Sequence, residues 1–247
     1  MHRIESLEPR IVLDGAGDNY QQGQVGFLFA PDTTEEYQRS MFSASNSARA
    51  GRDDISFFTM DDNARFTRTS TDGDNLQQGD ATTITWSIVP DGTFIPGYAG
   101  ESDAPSNLEA ALNSIYGDRA TWLQVFQDSF DRLSAVSGVN YVFEPNDDGA
   151  AWGRTVPPGV LGVRGDVRIS GHTIDVGGGV LAYNFFPNGS DMVIDTEDMN
   201  GANSFFGNTS SNSIRFRNML MHEAGHGLGI GHVESDNAKF LMEPSID

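Results

Sequence analysis

Residues 221–232 read MHEAGHGLGIGH, and this stretch holds three of the five histidines in the 247-residue chain. In an α-helix, residues four apart lie on one face, so His222 and His226 point the same way one turn apart. Two imidazoles in that arrangement can share one tetrahedral zinc ion. Because glycine readily adopts the left-handed conformation that ends a helix, Gly229 predicts a sharp turn that brings His232 back as a third ligand. Three nitrogens and one open position are typical of catalytic zinc sites.

A carboxylate directly follows the first of these histidines. Glu223 is placed to reach a metal-bound water and to act as its general base, a group that a purely structural zinc site does not need. A chance cluster on an amphipathic helix is the competing interpretation of a bare HExxH. The complete HExxHxxGxxH pattern is far more specific, because it fixes five positions. The sequence therefore predicts one catalytic zinc.

Charge and composition restrict the partners. The chain has 35 acidic and 15 basic residues, with a formal net charge of −20. Such a surface repels nucleic acids and anionic membrane faces, and no apolar run is long enough to span a bilayer, so we expect neither partner. The acidity fits either simple solubility or calcium binding, since carboxylates and carbonyls are calcium ligands. The absence of cysteine excludes disulfides, a thiolate metal site and a cysteine-based latency switch.

The patterns along the chain predict two regions. Residues 1–80 are rich in Gly, Asp, Asn, Gln and Ser, with apolar patches at 25–30 and 55–60 that predict short strands. Residues 69–80 are typical of a linker. From 81 to 247, β-branched runs alternate with stretches of helical periodicity, which predicts a mixed α/β arrangement.

The sequence HEAGHGLGIGH, followed by LMEP at 241–244, resembles the matrixins, the matrix-metalloprotease-like branch of the metzincin zinc endopeptidases. The stretches TITWSIV (83–89), TWLQVFQDSFDRLSAVSGVNYVFE (121–144) and IDVGGGVLAYNFFPNGSDMVIDTED (174–198) are similar to successive parts of a matrixin catalytic domain. The resemblance implies an α/β (α+β) fold, in which a twisted, mostly parallel mixed sheet packs on a long helix and an active-site helix. A less regular N-terminal segment precedes it.

The resemblance divides the chain near residue 80. It implies that residues 81–247 form the catalytic domain, and it leaves 1–80 as a segment of unknown role, such as a leader or a pro-segment. The chain stops at Asp247 without the C-terminal helix that the family normally has. We therefore expect either a truncated domain or a specificity pocket that is open on one side. The Pro-x-Tyr that walls this pocket in many relatives is Pro244-Ser245-Ile246 here.

The resemblance also implies an activity. We expect a monomeric zinc-dependent metalloendopeptidase that hydrolyses peptide bonds of a protein or peptide substrate, with Glu223 as the catalytic base. Met242 is expected to form the floor of the zinc site. An extended substrate is expected to add its backbone to an edge strand of the sheet. The expected edge strand is Val180, Leu181, Ala182, Tyr183 and Asn184. The expected calcium ligands are Asp175, Val176, Gly178, Val180, Asp195 and Asp198.

Other departures from the family concern metals and latency. Matrixins usually hold a second, structural zinc, but the matching positions here are Tyr183 and Val193, which are not zinc ligands. His172 is left over and is expected to form hydrogen bonds in a loop. Without a cysteine switch, latency could come from residues 1–80, through an aspartate that faces the zinc. The candidates are Asp53, Asp54, Asp61 and Asp62.

Location and two alternatives complete the predictions. The run ESLEPRIVLDGAG at 5–17 resembles the LEPR-type motif of large exported proteins of planctomycete-like bacteria, which predicts a protein outside the cell or on its surface. A polar leader without function is the competing interpretation. One functional alternative is a catalytically idle zinc-binding module, for adhesion or carbohydrate binding, within a larger exported surface protein. The other is a different metzincin branch, because Val233-Glu234-Ser235 follows the third histidine instead of an immediate serine.

Overall fold

The computed structural model describes residues 25–45, 58–60, 64–98, 100–152, 159–175, 177–199, 204–233 and 240–246. The α-helices within these ranges are α1 (Glu35–Ser45), α2 (Leu108–Tyr116), α3 (Arg119–Ser137) and α4 (Ser210–Gly227), with a short 3₁₀ helix at Glu197–Met199. The strands are β1 (Val25–Phe29), β2 (Phe58–Met60), β3 (Arg68–Thr69), β4 (Gly73–Asp74), β5 (Thr83–Ile88), β6 (Phe94–Ile95), β7 (Ala104–Pro105), β8 (Asn140–Phe143), β9 (Val167–His172), β10 (Val180–Phe185), β11 (Met192–Asp195) and β12 (Ile230–Val233).

The main sheet has six strands in the order β1-β10-β11-β9-β5-β8. The strands β11, β9, β5 and β8 are mutually parallel, whereas β10 is antiparallel to both of its neighbours. The strands of a parallel sheet are usually covered on both faces, and every residue of β9, β10 and β11 is indeed buried. The predicted mixed α/β fold with a mostly parallel sheet is confirmed.

The long helix α3 packs its apolar stripe against this sheet. Asp118 caps the helix by accepting a hydrogen bond from the Thr121 backbone N–H at 2.9 Å. The apolar residues at helical spacing along α3 are all buried and contribute to the main core, in which Trp86 of β5 stacks on Phe130 at a centroid distance of 4.8 Å. These residues are Trp122, Val125, Phe126, Phe130 and Leu133. In the described part of the chain, no helix combines the length and the apolar character needed to cross a membrane.

The strand predicted at the edge of the sheet forms, but it lies inside the sheet. Val180–Asn184 lie in β10, as expected, yet β1 pairs with β10 in antiparallel register, with Phe27 opposite Tyr183. The physical reason is the sequence VGFLF at 25–29, whose residues are all buried once the strand joins the sheet. An apolar strand from the N-terminal segment therefore covers the backbone groups of β10 that sequence analysis assigns to substrate.

Other parts of the N-terminal segment also pack on the rest of the chain. The stretch predicted as a linker holds the β3–β4 hairpin, and Ser70 donates its backbone N–H to the Asp166 carboxylate at 2.7 Å. Strand β2 pairs with β12, the strand that contains His232. The division into 1–80 and 81–247 stays a prediction. The LEPR-type run and the four aspartates proposed for latency lie outside the described residues.

Candidate metal centre

The helix α4 and the turn after it position the three histidines. His222, Glu223 and His226 lie in the last two turns of α4, and the chain then reverses at Gly229, whose φ is +87°. The Gly229 N–H donates to the His226 carbonyl at 2.8 Å, which closes the turn. His232 follows in β12 and faces back toward the helix. The turn that the glycine predicts is therefore present, and it brings the three imidazoles together.

The Nε2 atoms of the three histidines converge on one point. The Nε2 of His226 lies 3.0 Å from that of His222 and 3.1 Å from that of His232. Tetrahedral zinc with Zn–N bonds of about 2.05 Å separates its nitrogens by about 3.3 Å, so the spacing fits this ion. Among the described residues, this is the group of side chains that can offer three metal-ligating atoms within 4.8 Å of one another.

Backbone carbonyls hold two of the rings in the form that a metal needs. The Nδ1 atoms of His222 and His226 lie 2.7 Å from the Leu241 carbonyl and 2.8 Å from the Ile230 carbonyl. A carbonyl can only accept, so each Nδ1 carries the proton and each Nε2 presents a lone pair to the centre. Lone pairs that face each other without a proton between them fit a bound cation.

Burial keeps the three histidines neutral. It lowers the pKa of His226 to about 4, and it lowers the pKa values of His222 and His232 well below the usual value, with further lowering from the neighbouring imidazoles. A neutral imidazole is the ligand form, so the rings are ready to bind a metal at neutral pH.

Glu223 is a buried carboxylate beside this group. It is fully buried, and neither of its oxygens has a hydrogen-bond partner of good geometry among the described residues. Burial raises its pKa well above the usual value, and the nearby Leu28 backbone amide opposes that shift. A buried carboxyl group with so little hydrogen bonding is costly in a core, and such groups are concentrated at functional sites.

The segment 240–246 lies against α4. A Cβ atom added to Gly225, between the two helical histidines, would lie 2.5 Å from the Met242 Sδ. The Met242 carbonyl accepts from the Val233 N–H at 2.8 Å, which joins the segment to β12. Met242 is buried beside the helix turn that bears the ligands, and its role as the floor of the site stays a prediction.

The three carboxylates predicted to bind calcium accept hydrogen bonds within their loop, and among the described residues they do not form a group of three ligand atoms within 4.8 Å of one another. Asp175 accepts from the Val180 N–H at 2.9 Å and from the Tyr37 hydroxyl at 2.8 Å. Asp198 accepts from the Gly178 N–H at 2.9 Å, and Asp195 accepts from the backbone N–H groups of Asp175 and Glu197. Burial raises the pKa of Asp195 to about 7 and that of Asp198 to about 6. Val176 lies outside the described residues, and calcium binding stays a prediction.

His172 differs from its predicted place. It is a buried residue at the end of β9, so the expectation of a hydrogen-bonding loop residue is wrong about the loop. Its position follows from the register of β9 with β11, where His172 lies opposite Asp195. Tyr183 and Val193 are paired neighbours in β10 and β11. None of the three belongs to the group of converging ligands.

Sequence analysis missed three residues next to the histidines. A Cβ atom on Gly26 would lie 2.1 Å from the His226 ring, the Phe27 backbone is a hydrogen-bond partner of His232, and the Leu28 backbone lies beside Glu223. The available signal was the apolar run VGFLF within an otherwise polar segment. That run predicts a strand but does not reveal its partner.

Comparison with known proteins points to one class. Residues 163–247 match the Matrixin family of peptidases. Together with the mixed fold and the three histidines, this match supports a matrixin-like domain, of the zinc metalloprotease type, in this part of the chain. Matrix metalloproteinase-25 of Mus musculus is 36% identical to the chain over 73 residues. That alignment covers 30% of the chain and 12% of the mouse protein, so the chain spans only a small part of this relative.

Proposed function

We propose that the chain is a zinc-dependent metalloendopeptidase with Glu223 as its base. The observation that carries the proposal is the convergence of three Nε2 atoms beside the buried Glu223 carboxylate, whose oxygens have no hydrogen-bond partner of good geometry among the described residues. The histidine set fits zinc in number, atom type and spacing, and the fourth position is left to water or substrate.

Zinc bound by the three histidines would supply Lewis acidity, which polarises a carbonyl group and acidifies a water molecule. The chain's own residues do the rest. Glu223 takes the proton from the attacking water and delivers it to the leaving amine. The carbonyls of Leu241 and Ile230 keep two rings oriented while charge develops.

The substrate is proposed to be an extended peptide that pairs with β10. The residues Val180, Leu181, Ala182, Tyr183 and Asn184 form this strand next to the metal centre. Its outer edge pairs with β1 in antiparallel register, and the same backbone groups would bind an extended peptide. Such a substrate can bind only where β1 is displaced. We further propose a monomeric, exported bacterial protein that binds one zinc, with calcium at the Asp175 loop.

The alternative is the catalytically idle zinc-binding module. The specific observation in its favour is β1, which fills the position of a substrate beside the histidines. A module whose cleft is filled permanently would bind zinc without turnover. The buried carboxyl group of Glu223 favours the enzyme, because burying it costs desolvation free energy and a module that only binds zinc has no use for the group.

Cleavage of a quenched fluorescent peptide library, before and after chelation and zinc return, tests the proposal. Replacing Glu223 with Ala should lower the cleavage rate by about 10²–10⁴-fold, the usual contribution of a general base, while one zinc stays bound. The matched control is Glu36→Gln, a carboxylate exposed on α1, which should change nothing. Activity of Glu223→Ala within tenfold of the parent chain would contradict the mechanism. Zinc binding without any cleavage would support the idle module.

A further inference from the structure

The strand β1 is bound on both of its edges. On one side it pairs with β10 in antiparallel register, from Val25 opposite Phe185 to Leu28 opposite Ala182. On the other side, the Phe29 N–H donates to the Pro244 carbonyl at 3.0 Å, and the Phe29 carbonyl accepts from the Ile246 N–H at 3.3 Å. An extended peptide between two strands in this way has the backbone contacts of a bound substrate.

The strand crosses the metal centre at one peptide bond. Gly26 lies directly against the ring of His226, where no side chain would fit. The Phe27 carbonyl is a hydrogen-bond acceptor for His232, and the Leu28 amide lies beside the Glu223 carboxylate. The bond between Phe27 and Leu28 therefore has its carbonyl on the side of the zinc ligands and its nitrogen on the side of the base.

The side chains of Leu28 and Phe27 in β1 are buried among apolar residues of the rest of the chain. Leu28 is 1% exposed and belongs to the main apolar cluster, which includes Leu181 and Ala224 and against which Ile246 packs. Phe27 is fully buried on the opposite face, where its ring contacts Tyr183 at a centroid distance of 5.8 Å. The chain beyond the strand is also held, since the Ala30 N–H donates to the Gly179 carbonyl at 2.8 Å.

We propose that the Phe27–Leu28 peptide bond is a self-cleavage site, which the metal centre hydrolyses within the same chain. This inference rests on the proposed function. The reaction consumes one water, whose oxygen bonds to the Phe27 carbonyl carbon while the C–N bond to Leu28 breaks. Glu223 accepts a proton from the water and passes it to the Leu28 nitrogen. The products are a carboxylate at Phe27 and a new amino terminus at Leu28.

The bound strand also defines a class of external substrate. The residue two positions before the new amino terminus must be glycine, because a Cβ there would lie within 2.4 Å of three atoms of the His226 ring. The residue after the cut must be apolar and of leucine size to fill the buried pocket. Peptides of the form Gly-aromatic-Leu-aromatic, such as residues 24–33 (QVGFLFAPDT), meet both conditions.

The test uses the whole chain, purified without metal, with reaction started by zinc. Intact mass and N-terminal sequencing should show a single new terminus at Leu28, at a rate independent of protein concentration. Leu28→Asp should slow this cut at least tenfold, because a charge enters an apolar pocket, and Leu28→Met should keep it within about threefold. Glu36→Gln serves again as the matched control, and Glu223→Ala should leave the chain whole.

A second readout does not depend on activity. In the Glu223→Ala chain, the backbone amides of residues 25–30 should exchange slowly with deuterium, because the strand pairs with β10 and the Phe29 and Ala30 N–H groups donate to the Pro244 and Gly179 carbonyls. Adding Gly26→Val, which cannot lie against His226, should make the same amides exchange at least tenfold faster. Fast exchange in Glu223→Ala alone would overturn the placement of β1.

The outcomes separate this inference from the proposed function. If the chain cleaves the peptide of residues 24–33 and library peptides but leaves its own Phe27–Leu28 bond whole, or cuts elsewhere, the self-cleavage proposal is wrong and the peptidase stands. If no peptide is cleaved while zinc is bound and residues 25–30 stay protected, the proposed peptidase itself fails. A cut at Leu28 that requires both zinc and Glu223 supports both.

Discussion

A single added methyl group at Gly229 should test what holds the turn between His226 and His232. Gly229 has a φ of +87°, which side chains with a Cβ adopt at a cost of about 1–2 kcal/mol. In Gly229→Ala the new Cβ would also lie 1.8 Å from the backbone oxygen of Ala64, so one of the two segments must move. Overpacking of this kind costs about 1–3 kcal/mol, which gives a total loss of about 2–5 kcal/mol in the free energy of unfolding.

A matched glycine separates the two contributions. Gly117 ends α2 with a φ of +88°, and a Cβ there would meet nothing within 4 Å. Gly117→Ala should therefore lose only about 1–2 kcal/mol from the backbone conformation. The difference between the two variants measures the contact with Ala64, and thus the packing of the N-terminal segment against the turn that positions His232.

Urea unfolding of the zinc-free chain, followed by circular dichroism, measures both losses. Chelator competition measures zinc affinity, which Gly229→Ala should lower about tenfold or more through a displaced His232, and which Gly117→Ala should not change. Equal losses of stability in the two variants would refute the contact at Ala64. Unchanged zinc affinity in Gly229→Ala would refute the role of the turn in placing the third ligand.

The other predictions concern metals, pH and a buried ion pair. His226→Ala should lower the zinc content from one ion per chain to about 0.1 ion per chain or less, measured by elemental analysis after dialysis against trace chelator. Two zinc ions per parent chain would contradict the single site. Because burial raises the pKa values of Asp195 and Asp198 to about 7 and about 6, folding favours the protonated carboxyls, and this stabilisation is lost as pH rises through that range. In calcium chelator, the melting temperature should therefore decrease as the pH rises from 5 to 8. Added calcium should restore the melting temperature more at pH 8 than at pH 5. A melting temperature that does not change with pH, or that does not respond to calcium, would count against the site. Arg168 and Asp147 form a bidentate ion pair at 2.7 and 2.8 Å, and their side chains are 1% and 0% exposed. Arg168→Met should therefore lower the free energy of unfolding in urea by about 3–5 kcal/mol, because it leaves the Asp147 carboxylate buried without its cation, and the double variant Arg168→Met/Asp147→Leu should lower it clearly less. Equal losses in the two variants would show that the buried carboxylate is not the cause.

The convergence of His222, His226 and His232 was predictable because their geometry is local. His222 and His226 are related by one helical turn, and a single glycine reverses the chain before His232. Short-range rules on helices and left-handed glycine are enough to place all three side chains. The helix α3 was predictable for the same reason, since one apolar stripe meets one face of the sheet.

The strand partners were less accessible to sequence analysis. Sequence analysis assigns no strand to MVID at 192–195, but this stretch forms β11 between β10 and β9. Its residues are buried on both faces, so no alternation of polar and apolar residues marks it as a strand. The partner of β1 depends on a contact between residues more than 150 positions apart, such as Phe27 with Tyr183, which no local pattern encodes.

In a zinc peptidase of the proposed kind, the position of β1 would restrain the site in a chain without cysteine. A segment tethered to its own binding cleft has an effective concentration in the millimolar range, and free substrates with KM values of 1 μM to 1 mM must compete with it. Its backbone pairs on both edges, and Leu28 is buried, so displacement exposes apolar surface as well as unpaired strand edges. Hydrolysis of Phe27–Leu28 would remove this advantage, because Val25, Gly26 and Phe27 would then leave as part of a separate peptide and compete only at their bulk concentration. The uncut chain is therefore expected to cleave external peptides slowly even with zinc bound, and the rate should rise as the Leu28 terminus forms.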